Sequence, residues 1–499
     1  MADIRGKRAK LNIAVSLVGQ LVSLACGLVL PGLLINAFGS EAYGATASIT
    51  QFLAYITLLE GGIGGVARAA LYKPLAEGDM HKVSAVLQEL YRFFRIVAYV
   101  FIGYVLVLAC GFRTISGTEA LDWTSSFLLV IVISLSTFAQ YFIGITNAVL
   151  LQASHRTYVT QTISTMAVVL NAVLTVLLVL TGSSLIVVKL VSSCVFVLRP
   201  VAQWLYVRRH YQLVKKVPRD TNLLKQKWEG LGQHIAFFLH SNTDVAVLTL
   251  LADLTQVAVY SVYNMVVSHI QSLTVSFASG MEAVFGDMLA KKEKKELQES
   301  FSGYETLLSF VSVVAFSVTT VLILPFVRLY TAGVTDADYI QPAFSVVLPL
   351  ASMVYCIRQP YHAMTIAAGR FKETRLAAYG EVYINVGLSV LLVGRFGLLG
   401  VAIGTLVATT FRMVYYAVYL SKHILYRNVL LFLKRMLVNS AGFVGIYLVG
   451  KLLTARIPTE NYLQWVMCAA IVGVAALVIM GAIQLIFYRK DVQKLLKKK

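Results

Sequence analysis

The 499-residue chain is 58% hydrophobic and only 13% charged, with a mean hydropathy of +0.75, which excludes a water-soluble globular fold and leaves a polytopic membrane protein. Lysine and arginine number 43 against 24 aspartates and glutamates, a formal net charge of +19. The apolar runs are continuous rather than alternating, and lipid cannot satisfy backbone polar groups, so the spans are expected to be helices and not barrel strands.

Fourteen candidate spans follow from the N-terminus, near 11–37, 43–67, 93–111, 124–149, 159–181, 184–207, 230–251, 257–281, 305–328, 341–366, 376–394, 398–420, 436–453 and 464–488. The first follows the basic segment MADIRGKRAK and lacks a small-residue cleavage site, so it reads as a retained span rather than a signal peptide. With the N-terminus inside, the outer face receives only Arg113, Arg328, Arg395, Lys451 and Arg456. That bias places both termini in the cytoplasm of a cell (plasma or inner) membrane protein. The net charge is then a topology signal and an attraction to anionic membrane lipids, with no nucleic acid implied. The outer connections are too short for a folded catalytic domain, and no nucleotide-binding Gly-Lys motif, HExxH or GxSxG occurs. The expectation is a non-enzyme without a cofactor. The five cysteines fall in spans without ligand spacing and read as apolar filler.

An internal repeat organises the chain. A shift of 214 lays NAVLTVLLV (171–179) over NVGLSVLLV (385–393), Ala153 over Ala367 and Arg156 over Arg370, and a shift of 213 pairs Arg199 with Arg412. Each copy holds six spans, an even number, so the copies enter the membrane in the same direction and form a parallel repeat. The expected architecture is all-α: an N-terminal six-helix bundle (1–210), a basic cytoplasmic linker (211–229), a C-terminal six-helix bundle (230–422), and an extra helix pair with a basic tail (423–499).

Polar residues inside spans are costly and should face protein or a wet cavity. In the second span Glu60 precedes GGIGG (61–65), where it faces a cavity or pairs with Arg68. Gln51 and Asn147 either line a sugar-accommodating cavity or join helices. In the seventh span Asp244 sits among His240, Ser241 and Asn242, which suits a cation or proton site, or else a carboxylate neutralised by an arginine for packing. In the eleventh span Glu381 and Asn385 are four apart on one helical face, and in the twelfth Thr405 and Thr409 repeat that spacing. Such oxygens suit a hard cation such as sodium, with a proton-titrating carboxylate or a polar seam as the other readings. Arg199, Arg358 and Arg412 fall in the inner half of the membrane, where a guanidinium in a wet cavity matches phosphate oxygens, or snorkels. Arg358 is the prime candidate because Pro360, two residues on, interrupts the helix ladder.

Several segments resemble the polysaccharide-export branch of the multidrug, oligosaccharidyl-lipid and polysaccharide exporter superfamily, the Wzx-type flippases. They are FGSEAYG (38–44), LLEGGIG (58–64), HSNTDVAVL (240–248), VAVYSVY (257–263), LYTAGVTDADY (329–339) and GLLGVAIGT (397–405), in this order along nearly the whole chain. The resemblance implies two bundles alternating around a central cavity and moving an undecaprenyl-diphosphate-type lipid-linked oligosaccharide to the outer leaflet, in company with glycan polymerase or ligase proteins. Arg358, Arg199, Arg412, Glu60, Gln51 and Asn147 would serve the diphosphate and sugar. A related lipid II flippase binds sodium in its second lobe, which by similarity points to Asp244, Asn385, Glu381 and Thr409 for coupling to sodium or a proton. A cation-coupled multidrug exporter of the same superfamily is the alternative, and a structural or assembly membrane protein a second.

Overall fold

The computed structural model describes residues 2–60, 63–119, 121–214, 231–277 and 280–497, and within these the side chains of all but 2–10, 13, 231–237, 240, 241, 371, 372 and 495–497. The expected linker beyond residue 214, the glycines Gly61 and Gly62, and the side chains of His240 and Ser241 lie outside the described residues. The chain divides into two compact units, Met1–Phe238 with Asp253–Ala258, and Leu239–Ala252 with Val259–Lys499.

The first unit is built on α1 (Ala2–Phe38), α2 (Ser40–Ala54), α3 (Ile63–Glu77), α4 (Met80–Ser116), α5 (Trp123–Ala139), α6 (Ile145–Ala153), α7 (Thr157–Leu180) and α8 (Leu185–His210). The next helices are α9 (Leu231–Leu251), α10 (Leu254–Ser276), α11 (Met281–Ala290), α12 (Lys294–Tyr330), α13 (Phe344–Ile357), α14 (Gln359–Ala367), α15 (Phe371–Phe396) and α16 (Leu398–His423). Then come α17 (Leu430–Arg456), α18 (Tyr462–Phe487) and α19 (Arg489–Lys497). In the first unit α4 packs on α5, and α7 on α1 and α8. In the second, α12 packs on α13, α17 and α18, while α15 lies along α16.

The repeat recurs in the element bounds. Met80 and Lys294 open helices of 37 residues that close at Ser116 and Tyr330, each pair 214 positions apart. The same offset relates α6 to α14 at both ends, and an offset of 213 relates both ends of α8 and α16. It even holds for backbone conformation: Gly78 (φ 73°) matches Lys292 (φ 61°), and His155 (φ 56°) matches Gly369 (φ 65°). These residues end helices in the left-handed region, a cap that glycine adopts freely and that costs a side chain about 1 kcal/mol. At about 55 Å, α4 and α12 outrun a bilayer core, so one end of each stands in the interface or beyond it. Asp79 caps that end of α4 by accepting from the Lys82 backbone N–H at 3.0 Å, which holds its carboxyl below the usual carboxylate range.

Ten described helices are long and apolar enough to cross a membrane, and eleven if Ser40–Glu60 and Ile63–Glu77 count as one broken span. This is a multi-pass membrane protein. The remaining expected spans fall on the polar or interrupted segments α2–α3, α9, α10 and α13–α14. Of α9 only Asn242–Leu251 is a described apolar stretch; α10 carries Asn264, His269 and Gln271; α13 ends at Arg358. These segments carry most of the residues singled out in the sequence. Their polarity lowers the hydropathy that marks the other spans.

Both cores are mainly aliphatic, and aromatic rings are their largest fully buried side chains. Phe94, Phe101 and Phe112 on α4 are buried in the first unit, as are Phe285, Phe301, Phe316 and Phe344 in the second. Outward faces such as Leu170, Val173 and Leu177 on α7, or Leu463, Val466 and Val474 on α18, are exposed apolar surface of the kind lipid covers.

Candidate functional site

In the second unit the close pairing of α15 and α16 rests on two glycines one turn apart. A Cβ on Gly400 would stand 2.6 Å from the Leu392 carbonyl oxygen, and one on Gly404 would stand 2.5 Å from Ser389 Oγ and 3.1 Å from the Asn385 carbonyl oxygen. This small-xxx-small seam draws the backbones together. Gly404→Ala is therefore expected to cost about 1–3 kcal/mol, the range for overpacking, read as a lowered thermal midpoint of the purified protein.

The seam sets Asn385 beside Thr405. The Asn385 Nδ2 donates to Thr405 Oγ1 at 2.9 Å, and Thr405 Oγ1 lies 3.2 Å from both carboxylate oxygens of Asp244. The Tyr260 hydroxyl donates to Asp244 Oδ2 at 3.0 Å. Asp244 and Asn385 are buried, and the carbonyl oxygen of the Asn385 side chain has no hydrogen-bond partner. One carboxylate and two hydroxyls, beside an amide whose oxygen is unpartnered, carry a single negative charge, which fits a monovalent hard cation or a proton. Among the described residues no group of three His, Cys, Asp or Glu is arranged for a metal of higher demand. Thr409 donates back to the Thr405 carbonyl at 2.8 Å. Thr405, which residue spacing named beside Thr409, and Tyr260, which it did not, are thus the partners of Asp244, and neither stood in the expected coupling set.

Glu381 does not join this set. It is fully buried between Arg358, whose Nη1 donates to Oε1, and Arg412, whose Nη1 donates to Oε2 at 2.5 Å. Arg412 also donates to the Tyr416 hydroxyl from Nε at 3.0 Å and from Nη2 at 2.8 Å. Arg358 lies over the Tyr355 ring at 4.8 Å, and its Nε has no hydrogen-bond partner. Two guanidinium groups share one carboxylate, leaving one positive charge. The break between α13 and α14, with Pro360 at the start of α14, ends a helix at Arg358 and delivers its side chain to α15.

A third buried carboxylate, Glu305 on α12, escaped sequence reasoning. Arg427 donates to both its oxygens at 2.6 and 2.7 Å, Arg435 approaches at 3.3 Å, and the Tyr361 hydroxyl donates to Oε1. Arg435 also reaches Asp491 on α19 at 3.2 Å, and Ser302 and Thr306 both donate to that carboxylate. The network ties the C-terminal helices to α12. Ser302, Glu305 and Thr306 share one helical face, but nothing local announces partners such as Arg427, Arg435 and Asp491, more than a hundred residues away.

The first unit holds a cavity of about 660 Å³ lined by Glu60, Arg68, Gln140, Tyr141, Gln152 and Arg199 among others. Glu60 accepts from the Tyr141 hydroxyl at 2.5 Å rather than from Arg68, which donates to Gln152 at 2.7 Å. Arg199 donates to Ser164 at 2.9 Å, and its Nε is buried without a hydrogen-bond partner. A π-helical turn at Gln140–Gly144 presents Gln140 and Tyr141 here, an irregularity frequent at functional sites. Asn147 lies apart, buried and accepting from the Tyr91 hydroxyl at 2.8 Å. Gln51, on α2, is partly buried and outside the cavity lining.

No protein-family model matches this sequence, and no curated protein does either. Solved structures match along most of the chain. The lipid II flippase MurJ in an inward closed conformation superposes with a TM-score of 0.73 at 15% identity, covering 96% of this chain and 100% of its own. An inward-facing multidrug resistance MATE transporter of the MOP superfamily gives 0.60 at 15% identity, covering 83% of this chain and 98% of its own. The MATE multidrug transporter DinF-BH in complex with R6G gives 0.58 at 15% identity, covering 84% and 97%. This multi-pass membrane protein therefore has the fold of the lipid II flippase MurJ and of the MATE transporters.

Proposed function

We propose that this protein is a flippase of the polysaccharide-export, Wzx-type branch, which moves an isoprenoid-diphosphate-linked oligosaccharide from the inner to the outer leaflet. It does so by alternating access, coupled to a cation at Asp244, for cell-surface polysaccharide biosynthesis. The reading includes fourteen spans with both termini inside, two six-helix bundles and the added helix pair. The observation that carries it is the first-unit cavity, where Arg68 and Arg199 outnumber Glu60 and two amides, Gln140 and Gln152, join hydroxyls such as Thr57 and Ser136 in supplying the remaining polarity. Guanidinium groups match phosphate oxygens, and amides match sugar hydroxyls. A site for cationic drugs would need the opposite charge balance. The unpartnered Nε of Arg199 is a donor awaiting an acceptor. The Arg358–Glu381–Arg412 cluster adds a second net positive charge in the other unit, where it would stabilise the passing diphosphate.

The test is transport in liposomes of a fluorescent undecaprenyl-diphosphate oligosaccharide, with and without sodium or pH gradients. Arg199→Gln is expected to slow movement about tenfold or more, the worth of a charge-assisted hydrogen bond, while leaving the thermal midpoint near that of the parent. No movement of any lipid-linked glycan, together with gradient-driven efflux of cationic dyes, would transfer the protein to the multidrug-exporter class. Full activity on substitution of both Arg199 and Asp244 would remove the assigned roles.

A further inference from the structure

A different cavity of the first unit, about 860 Å³, lies between α4 and α8; Asn147 lines it, but no residue of the 660 Å³ cavity does. Gln88, Tyr91, Arg92 and Arg95 present one face of α4 to it, at the i, i+3, i+4, i+7 spacing of a single helical stripe. Trp204, Arg208 and Tyr211 line it from the end of α8 and just beyond. Among the described residues the lining holds three guanidinium groups and no carboxylate; the nearby Glu89 pairs with Arg92 at 2.7 Å. Arg95 stacks over Phe142 at 5.5 Å and Arg208 over Trp204 at 5.4 Å, so both are held with apolar support.

The wall of the cavity is fastened in place. The Val214 N–H donates to Ser84 Oγ at 2.8 Å, Gln88 Nε2 donates to the Val214 carbonyl at 2.9 Å, and Tyr211 and Ser154 share a 2.6 Å hydrogen bond. The depth is informative as well. Directly after Arg95, α4 exposes Ile96, Tyr99 and Val100, and α8 exposes Leu198 and Leu205 before Arg208. The guanidinium groups therefore stand where lipid-covered surface gives way to polar surface, at the end of the unit that the basic bias assigns to the cytoplasm.

We propose that this cavity binds the phosphate headgroup of an anionic membrane lipid, with Arg95 and Arg208 on the phosphate and Trp204 against the glycerol and upper acyl chain. A basic pocket between transmembrane helices at the inner face has the charge and depth for such a headgroup, and an indole is at home at that level. The site is separate from the cargo cavity and does not depend on what is transported.

The test is thermal unfolding of the purified full-length protein in detergent, titrated with phosphatidylglycerol, phosphatidylcholine or inorganic phosphate. Phosphatidylglycerol is expected to raise the midpoint saturably, and the other two to leave it in place. The half-saturating concentration should rise about tenfold or more in an Arg95→Gln/Arg208→Gln variant, the effect of losing charge-assisted hydrogen bonds. An equal response to phosphatidylcholine, an equal response to inorganic phosphate, which would make this a soluble-anion site, or an unchanged half-saturation in the variant would each overturn the proposal. Should the double variant fail to fold, quenching by brominated phosphatidylglycerol decides. Trp204→Phe, one of four tryptophans, should remove much of the quenchable fluorescence, and undiminished quenching overturns the site.

Discussion

Glu381→Gln is expected to destabilise this protein more than any other single polar substitution in the second unit, by about 3–5 kcal/mol, the cost of removing one partner from a buried ion pair. The reason lies in the count of charges around it. Arg358 and Arg412 are both buried, and Glu381 supplies the one carboxylate that both touch. Glutamine keeps the shape and one acceptor oxygen but leaves two guanidinium groups facing each other across a low-dielectric space. The measurement is the thermal or denaturant midpoint of the purified protein. Adding Arg412→Gln should recover a large part of the loss, because the remaining group, Arg358, keeps the amide oxygen and the Tyr355 ring and no longer faces a like charge. If Arg412→Gln instead adds to the loss as an independent substitution would, the three side chains do not act as one electrostatic unit. The same cluster explains why a site argued from individual arginines was incomplete. Each was expected to await phosphate, whereas their charge is already half met by a carboxylate that had been grouped with the cation site.

The fold was legible to the extent that it is written locally. Continuous apolar runs gave helices, and the 214-residue offset read from NAVLTVLLV and its partner reappears in helix ends and even in paired left-handed caps at Gly78 and Lys292. The segments least like ordinary spans, α2–α3 and α13–α14, are those where the sequence places Glu60 and Arg358-Gln359-Pro360, since a charge lowers hydropathy and a proline also breaks the hydrogen-bond ladder. Partner choice was much less legible. The i, i+4 rule places Glu381 and Asn385 on the same broad face of α15, yet one turn of helix carries the first to Arg358 and Arg412 and the second to Thr405. Nothing in the spacing along α15 distinguishes those neighbours, since they come from other parts of the chain, Arg358 from the α13–α14 break and Thr405 and Arg412 from α16. What decides is Gly404, whose missing Cβ brings α16 close enough for Thr405 to stand between Asn385 and Asp244. Glu305 and Asp491 illustrate the same limit, since their arginine partners are distant in sequence.

Asp244→Asn, in contrast, is expected to preserve the fold while abolishing gradient-driven transport. Asparagine retains an oxygen for the Tyr260 and Thr405 hydroxyls, and it removes a buried charge that has no arginine or lysine among those contacts. An ionised carboxylate in that setting is costly to bury, so the variant should unfold at or above the midpoint of the parent. What it loses is the affinity for a cation. In the parent, sodium at about a hundred times its dissociation constant should stabilise the protein by about 2.7 kcal/mol, the linkage value for one site; in Asp244→Asn that increment should vanish. Thr405→Val should reduce the increment without eliminating it, because it removes one neutral oxygen and leaves the carboxylate. A parent that shows no sodium increment, but whose transport follows a pH gradient and is lost in Asp244→Asn, would make the proton the coupling ion at the same residue. Gradient-stimulated transport by Asp244→Asn at the parent rate would place coupling elsewhere and leave Asp244 as a packing residue, held by Tyr260 and Thr405 for structure alone.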